Sequence, residues 1–275
     1  RGEIRWCQGY SEPGAGSDLA SLQTRAIEEG DDYVINGSKI WTSFAHYADW
    51  IFCLVRTDVE SPKHEGISFI LFDMTSPGVT VKPIQLISGS SQFCETFFDD
   101  VRVPKANLVG VKNDGWKIAK RLLQHERNMV AGMGSRGKSR NPQFSMENQA
   151  KTYLGEIDDK VADHTVRGKI TRHKMKSQAF ALTLQRATLE AKVSSNPSPA
   201  SSMFKYFGTE LNKSRFEVMM DIVGSQALGW EGEGFTEREL QTAREWLRSK
   251  ANSIEGGTSE VQLNIISKRV LELPD

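Results

Sequence analysis

The feature that most constrains this chain is a change of hydrophobic period near Gly110. Before it, short apolar runs alternate with turn residues. After it, apolar residues recur at steps of three and four. Period two belongs to strands and period 3.6 to helices. Strands followed by helices form segregated layers rather than alternating βαβ units. Residues 33–41, 50–55, 67–72, 79–82 and 96–104 read as strands. Within the first, Asn36-Gly37 predicts a tight hairpin, because that pair accepts the positive φ such turns need. Beyond Gly110, residues 115–130, 161–192, 200–224, 236–249 and 259–273 read as helices, and 134–148 as a loop. The expected fold class is α+β: an antiparallel β-barrel or sandwich over residues 1–111, then a helical bundle over 112–275.

Composition narrows the function. Lys plus Arg number 35 and Asp plus Glu number 35, so the 275 residues carry no net charge. A dedicated nucleic-acid binder or polybasic membrane-surface protein carries a basic excess, which argues against both classes. No apolar run approaches the roughly 18–20 residues of a membrane span. Cys7, Cys53 and Cys94 are far apart and odd in number, with no metal-type spacing. A disulfide scaffold is therefore not expected, and a reducing compartment is. The histidines form no HExxH, and no Gly-x-Ser-x-Gly elbow marks a serine hydrolase. The opening residues carry no apolar leader and run directly into a strand, as a piece of a longer chain would.

Several segments could carry chemistry. Glu12-Pro13-Gly14-Ala15-Gly16-Ser17-Asp18 is a glycine-rich run where a bulky ligand could approach the backbone, though a tight surface turn would look the same. Lys39-Ile40-Trp41-Thr42-Ser43 places an indole beside hydroxyls, fit to flank a planar ring or simply to fill a core. Glu126 falls on a helical stripe with Trp116, Ala119, Leu123 and Val130. A carboxylate on an apolar face has its pKa pushed upward, which suits a general base. A buried Glu satisfied by a partner is the alternative. Glu255-Gly256-Gly257-Thr258-Ser259-Glu260-Val261-Gln262 enters a helix, with Ser259 and Gln262 spaced as a capping box. Gln226-Ala227-Leu228-Gly229-Trp230 is a second glycine-bearing helix end.

In this order and at these separations, the segments resemble the acyl-CoA dehydrogenase family. The matching stretches are residues 9–18, 35–41, 97–104 and 257–262. The resemblance covers essentially the whole chain. It implies the family's middle antiparallel β-barrel domain and its C-terminal four-helix bundle. It also implies FAD, an acyl-CoA substrate and electron transfer to an electron-transfer flavoprotein. The family's reaction removes an α-proton with a carboxylate while the β-hydrogen leaves as hydride to the flavin. By position, Tyr10, Ser11, Gly16, Ser17, Trp41, Ser43, Gln226, Gly229, Thr258 and Glu260 match flavin-binding places. Ser17 and Arg127 match places near the CoA moiety. The resemblance further implies a homo- or hetero-oligomer, a dimer of dimers, in the bacterial cytoplasm or the mitochondrial matrix.

Two departures shape the expectation. Many relatives carry the catalytic Glu directly before Gly-Thr-Ser, where this chain has Gly256. Another branch carries it in a Glu-Arg pair on the first helix of the C-terminal domain, which Glu126-Arg127 matches. Glu126 is thus the expected base and Glu255 the runner-up. The second departure is a missing Arg-x-x-Phe-Gly segment between Arg136 and Arg172, which points away from a standard homotetramer. The pattern resembles the branch that acts on bulky or steroid-derived acyl-CoAs, some members of which pair different subunits. A non-catalytic subunit and a flavin oxidase are the rival readings. Relatives also carry an N-terminal helical domain of on the order of 100 residues, about one ordinary domain, and this chain starts just before the first β-domain motif.

Overall fold

The computed structural model describes residues 2–123, 145–193 and 201–274. The chain forms two compact units, Arg1–Leu123 and Gln124–Asp275.

The first unit is a curled half-barrel of seven strands. They are β1 (Trp6–Gly9), β2 (Arg25–Glu29), β3 (Asp32–Ser43), β4 (Trp50–Arg56), β5 (Ile67–Asp73), β6 (Val79–Ile84) and β7 (Phe93–Pro104). The order is β1-β4-β2-β3-β7-β6, with β5 on the other side of β4. Pairing is antiparallel except that β1 runs parallel to β4, and β2 meets β4 at the single parallel pair Arg25–Arg56. A helix, α1 (residues 115–123), lies over one face. Strand β4 reads as a continuous apolar run because both of its faces are covered. Ile51, Cys53 and Val55 join a core with Cys7, Ile35, Ile70, Phe72 and Cys94, while Leu54 turns the other way to Leu22, Phe69 and Ala119. Each such aliphatic side chain contributes roughly 1.5–3 kcal/mol by burial. Gly115 lets α1 start against the β5 backbone, since a Cβ there would lie 2.5 Å from the Ser68 carbonyl carbon. The three cysteines are buried free thiols. Burial pushes Cys7 and Cys53 up to about 12, so both stay protonated and pack as small apolar groups.

The Asn36-Gly37 hairpin is not formed. Strand β3 runs straight through that pair, and the hairpin lies earlier, where Glu29 faces Asp32 across Gly30-Asp31. Gly30 supplies the positive φ, 60°. Gly37 serves a different need: its φ is 142°, and a Cβ would come within 2.8 Å of the Thr24 backbone. Asn36 instead locks a bulge in β7, accepting from the Asp100 N–H at 3.0 Å and donating to its carboxylate at 2.9 Å.

The second unit contains α2 (Met146–Leu154), a short hairpin of β8 (Glu156–Ile157) and β9 (Lys160–Val161), α3 (His164–Val193), α4 (Ser201–Val223), α5 (Glu237–Ser249) and α6 (Ser259–Ile265). Val166, Ile170, Val218, Met219 and Ile222 share one core, and Phe180, Phe204 and Leu211 another. Helix α2 begins inside the stretch read as a loop. Only Ala150 on it is fully buried, so its apolar period is faint, and the Ser145 hydroxyl that caps the Asn148 N–H starts it. The two-residue strands β8 and β9 are too short to show a period. The capping box belongs to Thr236 and Glu239 at the start of α5 rather than to Ser259 and Gln262. Thr258 caps α6 instead, one residue earlier than the spacing implies.

His173 of α3 is buried, with Nε2 3.2 Å from the Ser177 hydroxyl and Nδ1 unpartnered among the described residues. Burial lowers its pKa, and the nearby Arg215 and Lys176 charges lower it further. A folded-state pKa below the ordinary imidazole value gives stability that is full above about pH 6.5 and is lost as pH falls. Thermal melts at about pH 7.5 and about pH 5.5 are expected to show this loss in the wild type and a smaller one in His173→Leu.

Candidate functional site

In the first unit, the glycine-rich run folds into a tight turn. Glu12 and Ala15 exchange backbone hydrogen bonds of 3.0 Å in both directions. Gly14, Gly16, Ser17 and Asp18 are exposed, and a Cβ at Gly14 or Gly16 would meet nothing within 4 Å. The turn therefore presents open backbone where a bulky group could lie. Tyr10 behaves differently. Its ring is buried edge-on against Phe52 and Phe69, so this side chain ties the loop to the core and is not presented outward.

Two anchors hold the loop, neither of them evident from the motif. Lys39 is fully buried and its ammonium donates to Glu12 at 2.7 Å and to the Tyr10 carbonyl at 3.1 Å. Burial alone would raise the Glu12 carboxyl. The Lys39 charge, with hydrogen bonds from Lys39 and the Gln23 and Thr24 segment, more than offsets that and holds it below the ordinary value. At the far end, the buried Arg56 guanidinium donates to the carbonyls of Ala20, Leu22 and Lys63. Lys39 carries a signal that alternation could have revealed: it shares the inward phase of β3 with Tyr33 and Ile35.

Beside the loop, β3 carries a bulge. Lys39 faces Thr96 and Thr42 faces Cys94, so Ile40 and Trp41 together oppose Glu95. Trp41 takes a left-handed backbone, φ 60°, uncommon for a bulky residue, and its indole is about half exposed (53%). It sits edge-on to Phe93 with centroids 6.1 Å apart. Thr42 turns into the core and Ser43 outward. Trp41, Ser43, Gly16 and Ser17 are thus all exposed around one laced segment, because the Ile40 N–H donates to the Ser11 carbonyl at 2.9 Å. Phe44 is also left-handed, φ 53°, and exposed. Glycine takes that conformation without the Cβ penalty. Phe44→Gly is expected to raise stability by about 0.5–1 kcal/mol. Urea unfolding checks this; a loss instead would show that the phenyl ring is packed.

In the second unit, Gly256 and Gly257 both have positive φ, 64° and 91°. A Cβ on Gly257 would come 2.5 Å from the side-chain nitrogen of Gln262, which is fully buried beneath the turn. Thr258 caps the helix, and Glu260 is exposed. Hydrogen bonds from its own N–H and from Thr258 hold Glu260 below the usual carboxylate range, outweighing slight desolvation, with Lys213 and Lys205 assisting. Glu255 has both oxygens engaged: Arg248 donates to one at 2.7 Å and Asn252 to the other at 2.6 Å. Gln226 is exposed. Gly229 is buried and needs to be glycine for packing, because a Cβ would lie 2.4 Å from the Phe235 ring. Glu126 and Arg127 lie outside the described residues. A cleft of about 440 Å³ whose charged lining comes from Arg25, Glu28, Arg56, Asp58 and Lys112 has much of that charge already paired. Lys105 and Lys112 hydrogen-bond the Glu28 carboxyl and hold it near 2, so we do not place the chemistry there.

Residues 7–101 match the family model for the acyl-CoA dehydrogenase middle domain, and residues 113–271 match that for the C-terminal domain. The chain belongs to the acyl-CoA dehydrogenase family. It is 38% identical over 274 residues to acyl-CoA dehydrogenase FadE34 of Mycobacterium tuberculosis, covering 100% of this chain and 36% of that protein. It is 37% identical to acyl-CoA dehydrogenase IpdE1 of the same organism, covering 98% of this chain and 67% of the relative. Among solved structures, the Tcur3481-Tcur3483 steroid ACAD superposes with a TM-score of 0.85 at 33% identity, over 99% of this chain and 69% of that one. The ChsE4-ChsE5 complex from Mycobacterium tuberculosis gives 0.81 at 33% identity, over 100% and 70%. As in these acyl-CoA dehydrogenases, a curled sheet precedes C-terminal helices. Among the described residues, no helix is long and apolar enough to cross a membrane.

Proposed function

We propose that this chain supplies the β-domain and C-terminal helices of an FAD-dependent acyl-CoA dehydrogenase, with Glu126 as the base that removes the α-proton. The observation that carries the reading is the family match over both units. The geometry of the first unit fits a flavin. Trp41 presents its indole at a bulge, Ser43 an exposed hydroxyl, and Gly14 and Gly16 an open backbone cradle. Ser11, Gly16 and Ser17 would hold the cofactor from the loop, and Tyr10 would position that loop from the core. Ser17 and Arg127 would meet the CoA moiety. In the second unit, Gln226 and Gly229 would reach an FAD held by a neighbouring subunit, and Thr258 and Glu260 would contact FAD at the start of the last helix. Bound FAD supplies the acceptor for the β-hydride, and the electrons then pass to an electron-transfer flavoprotein.

The protein's own part is proton removal and orientation. Glu255 is engaged by Arg248 and Asn252, and an acid anchored by a guanidinium and an amide is poorly placed to move. At position 256 the backbone is left-handed, so a side chain there would be strained. Both facts favour a base outside this turn. Two relatives, the Tcur3481-Tcur3483 steroid ACAD and a cyclohexane-1-carbonyl-CoA dehydrogenase at 30% identity, support a bulky or alicyclic acyl group and an oligomer. The test is optical. Purified full chain is expected to show flavin absorbance that bleaches when an alicyclic acyl-CoA is added without oxygen. A colourless protein that co-purifies with a related chain would instead identify a non-catalytic subunit.

A further inference from the structure

The Glu12–Lys39 pair has so far been described only as an anchor. Its placement says more. Lys39 is the residue immediately before the two-residue bulge that carries Trp41. Its ammonium holds Glu12 and the Tyr10 carbonyl, and the next residue's N–H holds the Ser11 carbonyl. Glu12 in turn accepts from the Thr24 N–H at 2.9 Å and the Gln23 N–H at 2.6 Å. Both carboxylate oxygens are thus directed, and the loop of residues 10–17 is tied at three consecutive residues to the strand segment that leads into Trp41 and Ser43.

An ion pair this deep is a poor device for stability alone. Desolvation of both charges offsets much of their attraction, and well-packed apolar residues of similar volume often serve a fold as well or better. Directional bonds provide something apolar contacts do not, which is a fixed orientation of one segment against another. We propose that Glu12 and Lys39 are positioning residues: they set the glycine-rich loop against Trp41 and Ser43 at the separation a flavin requires. This rests on the reading that those two segments hold FAD.

The test separates folding from binding. FAD affinity is measured by titrating flavin-free full chain, and the melting temperature is measured on the same samples without FAD. The double variant Glu12→Leu/Lys39→Met removes both charges at similar volume. It is expected to melt close to wild type yet bind FAD ~tenfold or more weakly. Trp41→Ala is measured alongside to test the underlying reading. If the double variant binds FAD as wild type does while Trp41→Ala binds weakly, the positioning role is overturned and the flavin site stands. If neither variant weakens binding, or wild type binds no FAD, both are overturned. If the double variant does not fold, Glu12→Gln/Lys39→Met decides, because it leaves no unpaired charge and keeps an acceptor oxygen for the Thr24 or Gln23 N–H. Weaker FAD binding at unchanged melting temperature supports the role, and unchanged binding overturns it.

Discussion

Replacing Glu126 with Gln is expected to lower the rate of acyl-CoA dehydrogenation by about 10²–10⁴-fold, the loss that removing a general base commonly causes. FAD binding is expected to survive, because Gln keeps the shape of the side chain. Trp116, Ala119 and Leu123 all turn toward the sheet, and Ala119 is fully buried against it. Glu126 continues that three- and four-residue spacing. That spacing is the ground for expecting Glu126 on an apolar helix face, a setting that suits a general base. Glu255→Gln is the paired control. It removes charge from a carboxylate already held by Arg248 and Asn252, so it is expected to alter the glycine turn's stability and leave turnover within about tenfold. Steady-state turnover with an artificial electron acceptor reads both. Near-normal turnover in Glu126→Gln together with a collapse in Glu255→Gln would move the base to residue 255.

The single substitution Lys39→Met is expected to destabilise the first unit by about 3–5 kcal/mol, the range seen when one partner of a buried ion pair is removed. Glu12 would keep its charge in a site that is 8% exposed, with two backbone N–H partners and without the ammonium that hydrogen-bonds it. The pH dependence gives a further check. In the wild type the folded-state pKa of Glu12 is depressed, so its contribution is present above about pH 4.5 and lost as pH falls. In Lys39→Met the cation that depresses it is gone, and burial pushes the carboxyl up. Acid then protonates Glu12 in the folded variant and removes the uncompensated charge. The gap between the two proteins, read from urea unfolding, is expected to narrow as pH drops toward about 4. A gap that is small at neutral pH or constant with pH would mean the pair contributes little.

The segregation of strands and helices was legible because it rests on local period, and β4, β5 and α3 follow directly from it. Pairings between distant residues were not legible. Nothing in the sequence near Trp6 says that β1 will lie beside β4, more than forty residues on and in the parallel sense. The Asn36-Gly37 pair misled because glycine there meets a steric demand from Thr24, a residue on another segment. The candidate site shows the same split. The exposed turn and Trp41 could be picked out as motifs. Lys39 was legible from its alternation with Tyr33 and Ile35, but its partner Glu12 lies on another segment and no local pattern joins the two. At Gly229 a demand for glycine comes from the Phe235 ring, which lies on another segment and leaves no signal beside the glycine itself.

The bulge at Ile40 and Trp41 has a consequence for insertion and deletion. Side chains along a strand alternate, so an unbulged ladder through this sequence would put Trp41 on the inward phase of Ile35 and Lys39. Loss of the Trp41 codon would restore regular alternation, with Ile40 outward and Thr42 still facing Cys94, so the ladder to β7 could re-form with the indole gone. A chain could therefore keep this half-barrel and lose its exposed indole in one frame-preserving event, with no substitution at any other residue.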